Sequence, residues 1–308
     1  MKNFINISDC SSVELKAIIE EAKKRKQNRS GLNKSAPDKD KPFDGRSMAM
    51  IFEKPSTRTR MSFDIAVKQL GGSSIILNPD GIHYGKGDET LKDTAKVLSE
   101  YVDIVMLRTS SHKNLEEFGK HLNIPIINGL SDLSHPCQIM SDILTYEESN
   151  GSIEDKTVSW IGDGNNNMSN SLIEAAGKFN FKLKIGCPKK YSPNKSILKL
   201  AKKERIKLTI TSKPLEAVEG ADCVMTDKWI SMNDKVNKAS KKKILKPYQV
   251  NKKLMSKANS DAIFMHCLPV GRGEEVTNEV IDGKQSVVWR QALNRVHAQK
   301  SIIKWCLD

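Results

Sequence analysis

A chain of 308 residues is long enough to bury a sizeable core and to divide into two domains. No apolar run approaches the ~20 residues of a membrane-spanning helix and no secretory signal opens the chain, so an intracellular, cytoplasmic protein away from membranes is expected. The formal charge of +13 points towards anions, but the lysines are spread along the chain, with a local excess over Lys235–Lys253. Aromatics make up 6% of residues and do not interleave with the basic runs, which argues against a stacking platform for nucleic acid. Six scattered cysteines (Cys10, Cys137, Cys187, Cys223, Cys267, Cys306) form no C-x-x-C pair, so neither a disulfide framework nor a zinc ribbon is indicated.

In chain order, Ser11-Ser12-Val13-Glu14 reads as a capping box opening a helix with Val13, Ala17 and Ile18 on its apolar side. Residues 28–45 are polar, with Pro37, Pro42 and Gly45, and read as a loop. Ser47–Phe52 is a short buried strand. Phe63, Ala66, Val67 and Leu70 then mark one face of a helix that Gly71-Gly72 stops. A strand over Ser74–Leu77, a polar loop over Asn78–Gly87 carrying His83, and a helix over Thr90–Glu100 follow. Strands are expected at Ile104–Leu107, ending in Arg108-Thr109, and at Ile124–Ile127.

His135-Pro136-Cys137-Gln138 opens a helix through Ile139, Ile143 and Leu144 that links two domains, and the alternation restarts. Strands are expected at Val158–Ile161, Lys182–Ile185, Leu208–Ile210, Val224–Thr226 and Ile263–His266, with helices over Ser169–Phe179 and Ser196–Lys203. The expected fold is α/β, two doubly wound parallel-sheet domains with the active site in the cleft between them. The domains would be 1–148 and 149–289, and the last helix, within 290–308, would pack back on the first. Functional residues in such sheets gather at the carboxyl ends of strands. Five sets of polar residues do so here: Ser56–Arg60, Arg108, Asn165–Asn167, Asp227 and His266-Cys267.

Pro55 to Arg60 is a turn delivering hydroxyls and guanidiniums to the first turn of a helix, where unpaired N–H groups and the macrodipole favour an anion. An ordinary N-cap with solvated arginines is the plainer alternative. Ser56, Thr57, Arg58 and Thr59 in succession behind a strand favour an oxyanion site, although the Walker A frame is absent. Gly162-Asp163-Gly164 lacks the third glycine of a dinucleotide turn, and no acid ends the next strand at Ile185-Gly186-Cys187-Pro188, so NAD is rejected. The amides of Asn165-Asn166-Asn167 either fill a turn or suit a substrate's amino-acid head group. His135 and His266 with Cys137 and Cys267 have no usual zinc spacing and no evident third ligand. His135 at a helix start, with Gln138 one turn on, is better suited to donating hydrogen bonds to an oxyanion, with a capped structural role as the alternative. His266 and Cys267, as adjacent strand residues, point to opposite faces and do not easily form a nucleophilic pair. Asp227 is either solvated or a partner for a cationic amine.

Together, Ser56-Thr57-Arg58-Thr59-Arg60, His135-Pro136-Cys137-Gln138, Asp227-x-x-x-Ser231-Met232 and His266-Cys267-Leu268-Pro269 resemble the aspartate/ornithine carbamoyltransferase family, on its ornithine side and over essentially the whole chain. The resemblance implies a transferase that moves the carbamoyl group of carbamoyl phosphate to the δ-amine of L-ornithine, giving citrulline and phosphate, in arginine biosynthesis or in the catabolic direction. It implies no cofactor and no metal. Carbamoyl phosphate would be held by Ser56, Thr57, Arg58, Thr59, Arg108, His135, Gln138, Cys267, Leu268 and Arg295, and by His83, which stands where many relatives carry Gln. Ornithine would be held by Asn167, Asp227, Ser231 and Met232. Arg58, Arg108, His135, Asp227 and Cys267 would carry the chemistry. The family's trimers imply a homotrimer in which His83 reaches a neighbouring site. Two departures stand out: Asn233 replaces the glycine usual after Ser-Met, and Val270-Gly271-Arg272-Gly273 differs from common versions. Rival readings are a transferase acting on putrescine or an acylated ornithine, and a basic nucleic-acid-binding protein.

Overall fold

The computed structural model describes residues 1–77, 89–230 and 237–308. His83, Ser231, Met232 and Asn233 lie outside the described residues, as does the expected loop over Asn78–Gly87 apart from its surroundings. The first half runs α1 (Ser12–Gln27), β1 (Ser47–Phe52), α2 (Thr57–Gln69), β2 (Ser73–Leu77), α3 (Leu91–Tyr101), β3 (Ile104–Arg108), α4 (His112–His121), β4 (Ile126–Leu130) and α5 (Pro136–Asn150). The second runs β5 (Thr157–Ile161), α6 (Asn167–Lys178), β6 (Lys182–Gly186), α7 (Lys195–Lys203), β7 (Leu208–Thr211), α8 (Pro214–Val218), β8 (Cys223–Thr226), α9 (Lys238–Leu245), α10 (Lys252–Met255), β9 (Ile263–His266), α11 (Asn278–Ile281) and α12 (Val288–Leu307).

Both sheets are parallel, in the orders β2-β1-β3-β4 and β7-β6-β5-β8-β9. The apolar runs explain this. Strands β3 and β8 are buried at every position, which requires cover on both sheet faces. The strand order reverses between β1 and β3 in one sheet and between β5 and β8 in the other, and ligands of open α/β sheets bind beside such points.

Two compact units result: Met1–Ser141 with Leu293–Asp308, and Asp142–Ala292. The boundaries fall inside α5 and α12. In the first unit Ile51, Val105, Leu107, Leu115, Phe118 and Ile126 share one apolar cluster. In the second, Ile161, Val224, Phe264, Val276 and Val288 do so.

Ser11 caps α1 by accepting the Glu14 N–H, and Glu14 accepts the Ser11 N–H, a reciprocal cap whose loss costs ~1 kcal/mol. The buried face is nevertheless Leu15, Ile18, Ile19, Ala22 and Arg25, with Val13 77% exposed and Ala17 also exposed. Of the expected face only Ile18 is buried, and Arg25 turns inward to a carboxylate that lies outside the helix. That carboxylate is Asp38 in the 28–45 loop. It takes Arg25 at 3.0 Å, Arg29 at 2.7 Å and Lys300 of α12 at 2.7 Å, and is itself 7% exposed.

Helix α4 had no counterpart in the sequence reading. Only Leu115 and Phe118 supply its larger apolar anchors, Ser111 caps it by accepting the Asn114 N–H, and its other positions are mostly charged or polar. Strand β4 begins two residues later than Ile124, beyond Pro125, which has no N–H to give a ladder. It continues through Gly129, where a Cβ would strike the Met106 sulfur. The glycine permits the close approach.

Candidate active site

The turn after β1 and the end of β3 meet around one hydroxyl. Thr59, in the first turn of α2 and 1% exposed, accepts Arg108 Nη1–H at 3.1 Å and Arg295 Nη2–H at 2.9 Å. Arg295, from α12, also donates through Nη1 to Gln138 Oε1 at 2.6 Å, and Gln138 is 1% exposed. Two guanidiniums, 6% and 5% exposed, thus converge on side-chain oxygens that carry no charge. Ser56 occupies the N-cap of α2 with extended backbone and no side-chain capping bond, so its hydroxyl is not committed to the helix end. Thr57 and Arg58 are exposed beside it.

His135 reports the field that this arrangement creates. Its imidazole is held well below its usual pKa, first by burial and then by the positive charges of Arg295, Arg108 and Arg58. It is neutral in the physiological range. A neutral ring among three cations has both nitrogens suited to hydrogen bonding rather than to charge pairing. Cys137, one residue on, is a buried thiol donating to the Asn128 carbonyl at 3.4 Å, and burial pushes its pKa up to about 12. It remains a protonated thiol, held by its hydrogen bond to that carbonyl.

In the second unit, three further strand ends carry polar groups. After β5, Gly162 adopts φ +127, and a Cβ on Gly164 would meet the Tyr191 carbonyl at 2.9 Å and the Cys187 sulfur at 3.0 Å. Tight packing, rather than room for a pyrophosphate, therefore accounts for Gly162-Asp163-Gly164. Asn166 caps α6 by accepting the Ser169 N–H, and Asn167 begins the helix half-buried. After β8, Asp227 Oδ1 accepts the Cys267 thiol at 3.0 Å.

Beyond β9, His266 Nδ1 accepts the Leu268 N–H at 2.9 Å, which fixes the proton on Nε2 and directs it to Glu275 Oε1 at 3.2 Å. Glu275 is fully buried and also accepts the Gly271 N–H. Leu268 takes a left-handed φ of +58 and precedes a cis Pro269. A leucine in that region is a strained backbone held by its surroundings, here by the His266–Glu275 pair. The glycines of Val270-Gly271-Arg272-Gly273 are explained in place: a Cβ on Gly271 would strike Glu275, and Gly273 has φ +79.

His266 and Cys267 are not held on opposite faces as strand alternation would place them. The strand ends at His266, so Cys267 is free of its alternation, and ligand-type atoms of Asp227, His266 and Cys267 lie within 4.8 Å of one another. Both imidazole nitrogens are nonetheless engaged, by Leu268 and Glu275, and the thiol is engaged by Asp227. Asp227 is thus a third ligand-type group beside them, which the sequence did not reveal because it comes from another strand end. Sequence reasoning missed Glu275, since a Glu274-Glu275 pair reads as solvated surface and nothing local says which one turns inward.

The carboxyl ends of β1 and β3, at the reversal of one sheet, and of β5, β8 and β9 in the other define an α/β enzyme with a cluster of guanidiniums in its first unit. Residues 2–148 match the carbamoyl-P binding domain of aspartate/ornithine carbamoyltransferase, and residues 154–306 match the Asp/Orn binding domain. The chain is 48% identical over 308 residues to the ornithine carbamoyltransferase of Brucella ovis, covering 100% of this chain and 96% of that one. With that of Rhodopseudomonas palustris it shares 49% identity over 306 residues, 99% of this chain and 96% of the relative. Among solved structures, ornithine carbamoyltransferase from Pyrococcus furiosus superposes with a TM-score of 0.91 at 40% identity, covering 98% and 96% of the two chains. Anabolic ornithine carbamoyltransferase from Campylobacter jejuni does so with a TM-score of 0.91 at 35% identity, covering 99% of each. The chain belongs to the aspartate/ornithine carbamoyltransferase family.

Proposed function

We propose that the protein is an ornithine carbamoyltransferase working in arginine biosynthesis: it transfers the carbamoyl group of carbamoyl phosphate to the δ-amine of L-ornithine, releasing citrulline and phosphate. The observation that carries this reading is the Arg108–Thr59–Arg295–Gln138 net with the neutral His135 beside it. In this reading residues 1–148 bind carbamoyl phosphate and residues 149–289 bind ornithine.

The chemistry follows from the groups. Ser56, Thr57, Arg58 and Thr59, at the start of α2, hold the phosphate with Arg108, Gln138 and Arg295. Attack of the free δ-amine on the carbonyl carbon gives a tetrahedral oxyanion, which Arg58, Arg108, Thr59 and His135 stabilise with donors already in place. The C–O bond to phosphate then breaks, the phosphate leaves as an anion, and the nitrogen gives up its proton. Asp227, with Cys267 donating to it at 3.0 Å, orients the amine, while Asn167, Ser231 and Met232 hold the amino-acid head group. Leu268 and Cys267 complete the carbamoyl site, and His83 of a neighbouring copy adds to it. Apolar side chains exposed on α2, the edge strand β2 and α3 (Met61, Ile75 and Val97) suit burial in a homotrimer. Six free cysteines and the absence, among the described residues, of a helix long and apolar enough to cross a membrane agree with a cytoplasmic location.

The test is citrulline formation from carbamoyl phosphate and ornithine, with putrescine, N-acetylornithine and aspartate in parallel. Product from ornithine alone is expected. Product from putrescine or N-acetylornithine instead would overturn the assignment of Asp227, Ser231 and Met232.

A second expectation concerns pH. The attacking amine has a free pKa of ~10.4, as in Lys, so kcat/KM should rise from pH 6 to 9. His135 is not the group responsible, because its depressed pKa keeps it neutral across that range. His135→Gln should therefore lower the rate at every pH and leave the shape of the rise intact. A rise lost or displaced in the variant would make His135 the titrating group.

A further inference from the structure

A buried ion pair in the second unit lies outside all of this chemistry. Lys241, in α9, is 3% exposed and places its Nζ 2.6 Å from Oδ2 of Asp163, which is 6% exposed. The ammonium also lies 5.1 Å from the centre of the Tyr191 ring. Burying two such charges is costly, and their attraction offsets the cost only where the geometry is good. What they hold together is therefore informative.

Asp163 lies in the turn between β5 and α6, four residues before Asn167. Its other oxygen, Oδ1, accepts the Asn165 N–H at 2.8 Å, and its backbone carbonyl accepts the Trp160 indole N–H at 2.8 Å. The same Tyr191 that faces Lys241 accepts the Gly164 N–H through its carbonyl at 2.9 Å. Ser169, in the first turn of α6, donates its hydroxyl to the Gly164 carbonyl at 2.9 Å. One carboxylate thus shapes the turn with one oxygen and takes the lysine with the other. A carboxylate has an oxygen for each partner and can accept from Asn165 and Lys241 at once.

We infer that Lys241 is a positioning residue for the amino-acid subsite: through its buried pair with Asp163 it fixes the Asn165–Asn167 turn, and with it the side chain that receives the head group of ornithine. The inference rests on the ornithine reading of Asn167. Without the ammonium, Asp163 is a buried carboxylate lacking this counter-charge. It either draws in water or takes up a proton, and each alters the turn it shapes.

The experiment compares Lys241→Met and Lys241→Arg with the wild-type protein. Steady-state kinetics are measured for both substrates, with direct binding of carbamoyl phosphate and competition by L-norvaline, which has the head group of ornithine without its δ-amine. Lys241→Met should raise the KM for ornithine and the inhibition constant of norvaline about 10–100-fold, the scale of a misplaced substrate-holding group. The Kd of carbamoyl phosphate, whose phosphate is assigned to Ser56–Thr59, Arg108 and Arg295, should not move. Lys241→Arg retains the pair and should restore most of the ornithine affinity. Should Lys241→Met not fold, Lys241→Gln, which removes the charge and keeps a polar side chain of similar reach, is read in the same way.

An unchanged norvaline constant in a folded variant overturns the inference, leaving the pair a structural one. So does a parallel loss of carbamoyl phosphate binding, which would signal general loosening. Failure of the ornithine reading shows separately, as absence of citrulline from the wild-type protein.

Discussion

Replacing Arg58 by Ala is expected to lower kcat for citrulline formation by on the order of 10²–10³. Melting temperature should stay close to that of the wild-type protein. Both halves follow from position. Arg58 is exposed in the first turn of α2, so its removal opens no cavity, and Ala is the better helix former. Yet its charge reaches His135, together with those of Arg295 and Arg108, so it belongs to the same positive field. Arg60, exposed two residues on, is absent from the charges felt by His135, and Arg60→Ala should leave kcat nearly unchanged. Equal losses in the two variants would mean a diffuse basic surface rather than a built site. A loss under threefold in Arg58→Ala would remove it from the reaction, since an oxyanion donor contributes about 2.7–4 kcal/mol.

The second large effect is on stability. Asp38→Asn should destabilise the protein by about 3–5 kcal/mol, the scale of a broken buried ion pair. Burial acts to raise the Asp38 pKa, but Lys300, Arg29 and Arg25 outweigh it and the carboxyl is held below its usual range. Removing the negative charge strands those cations unequally. Arg25 keeps Asp40 and Glu21, each at 2.8 Å, whereas Lys300, fully buried, is left with Gln69. Lys300→Met should cost less, because Asp38 then still binds two guanidiniums. Urea unfolding followed by far-UV circular dichroism gives both values. A cost under ~1 kcal/mol for Asp38→Asn, the size of an exposed pair, would show that water reaches the cluster. A larger cost for Lys300→Met would place the energy in the lysine's own packing.

These variants also show how the chain divides its information. Strand and helix positions were legible because their signals are local. The apolar run of Ser47–Phe52 can be satisfied only in a sheet covered on both faces, and Ser11 with Glu14 three residues on is a helix start by itself. The strand-end positions of Ser56–Arg60, Arg108, Asp227 and His266 followed from the same alternation. Short elements with few apolar anchors, such as α4, were not legible, since their pattern is too brief to rise above the charges around it.

What the sequence determined by itself was the pattern of elements, the parallel α/β class and the chemistry gathered at the strand ends. Tertiary structure alone decided which polar groups meet. Thr59 joins Arg108 and Arg295, Asp38 gathers cations from α1, the following loop and α12, Asp163 takes Lys241, and His266 turns to Glu275. The physical reason is that a charged side chain carries no local signature of burial. Lys241 and Lys242 are neighbours in one lysine run, and only the fold sends the first to a buried carboxylate and leaves the second at the surface. Burial of a charge depends on a partner far along the chain, and the approach of that partner is set by packing.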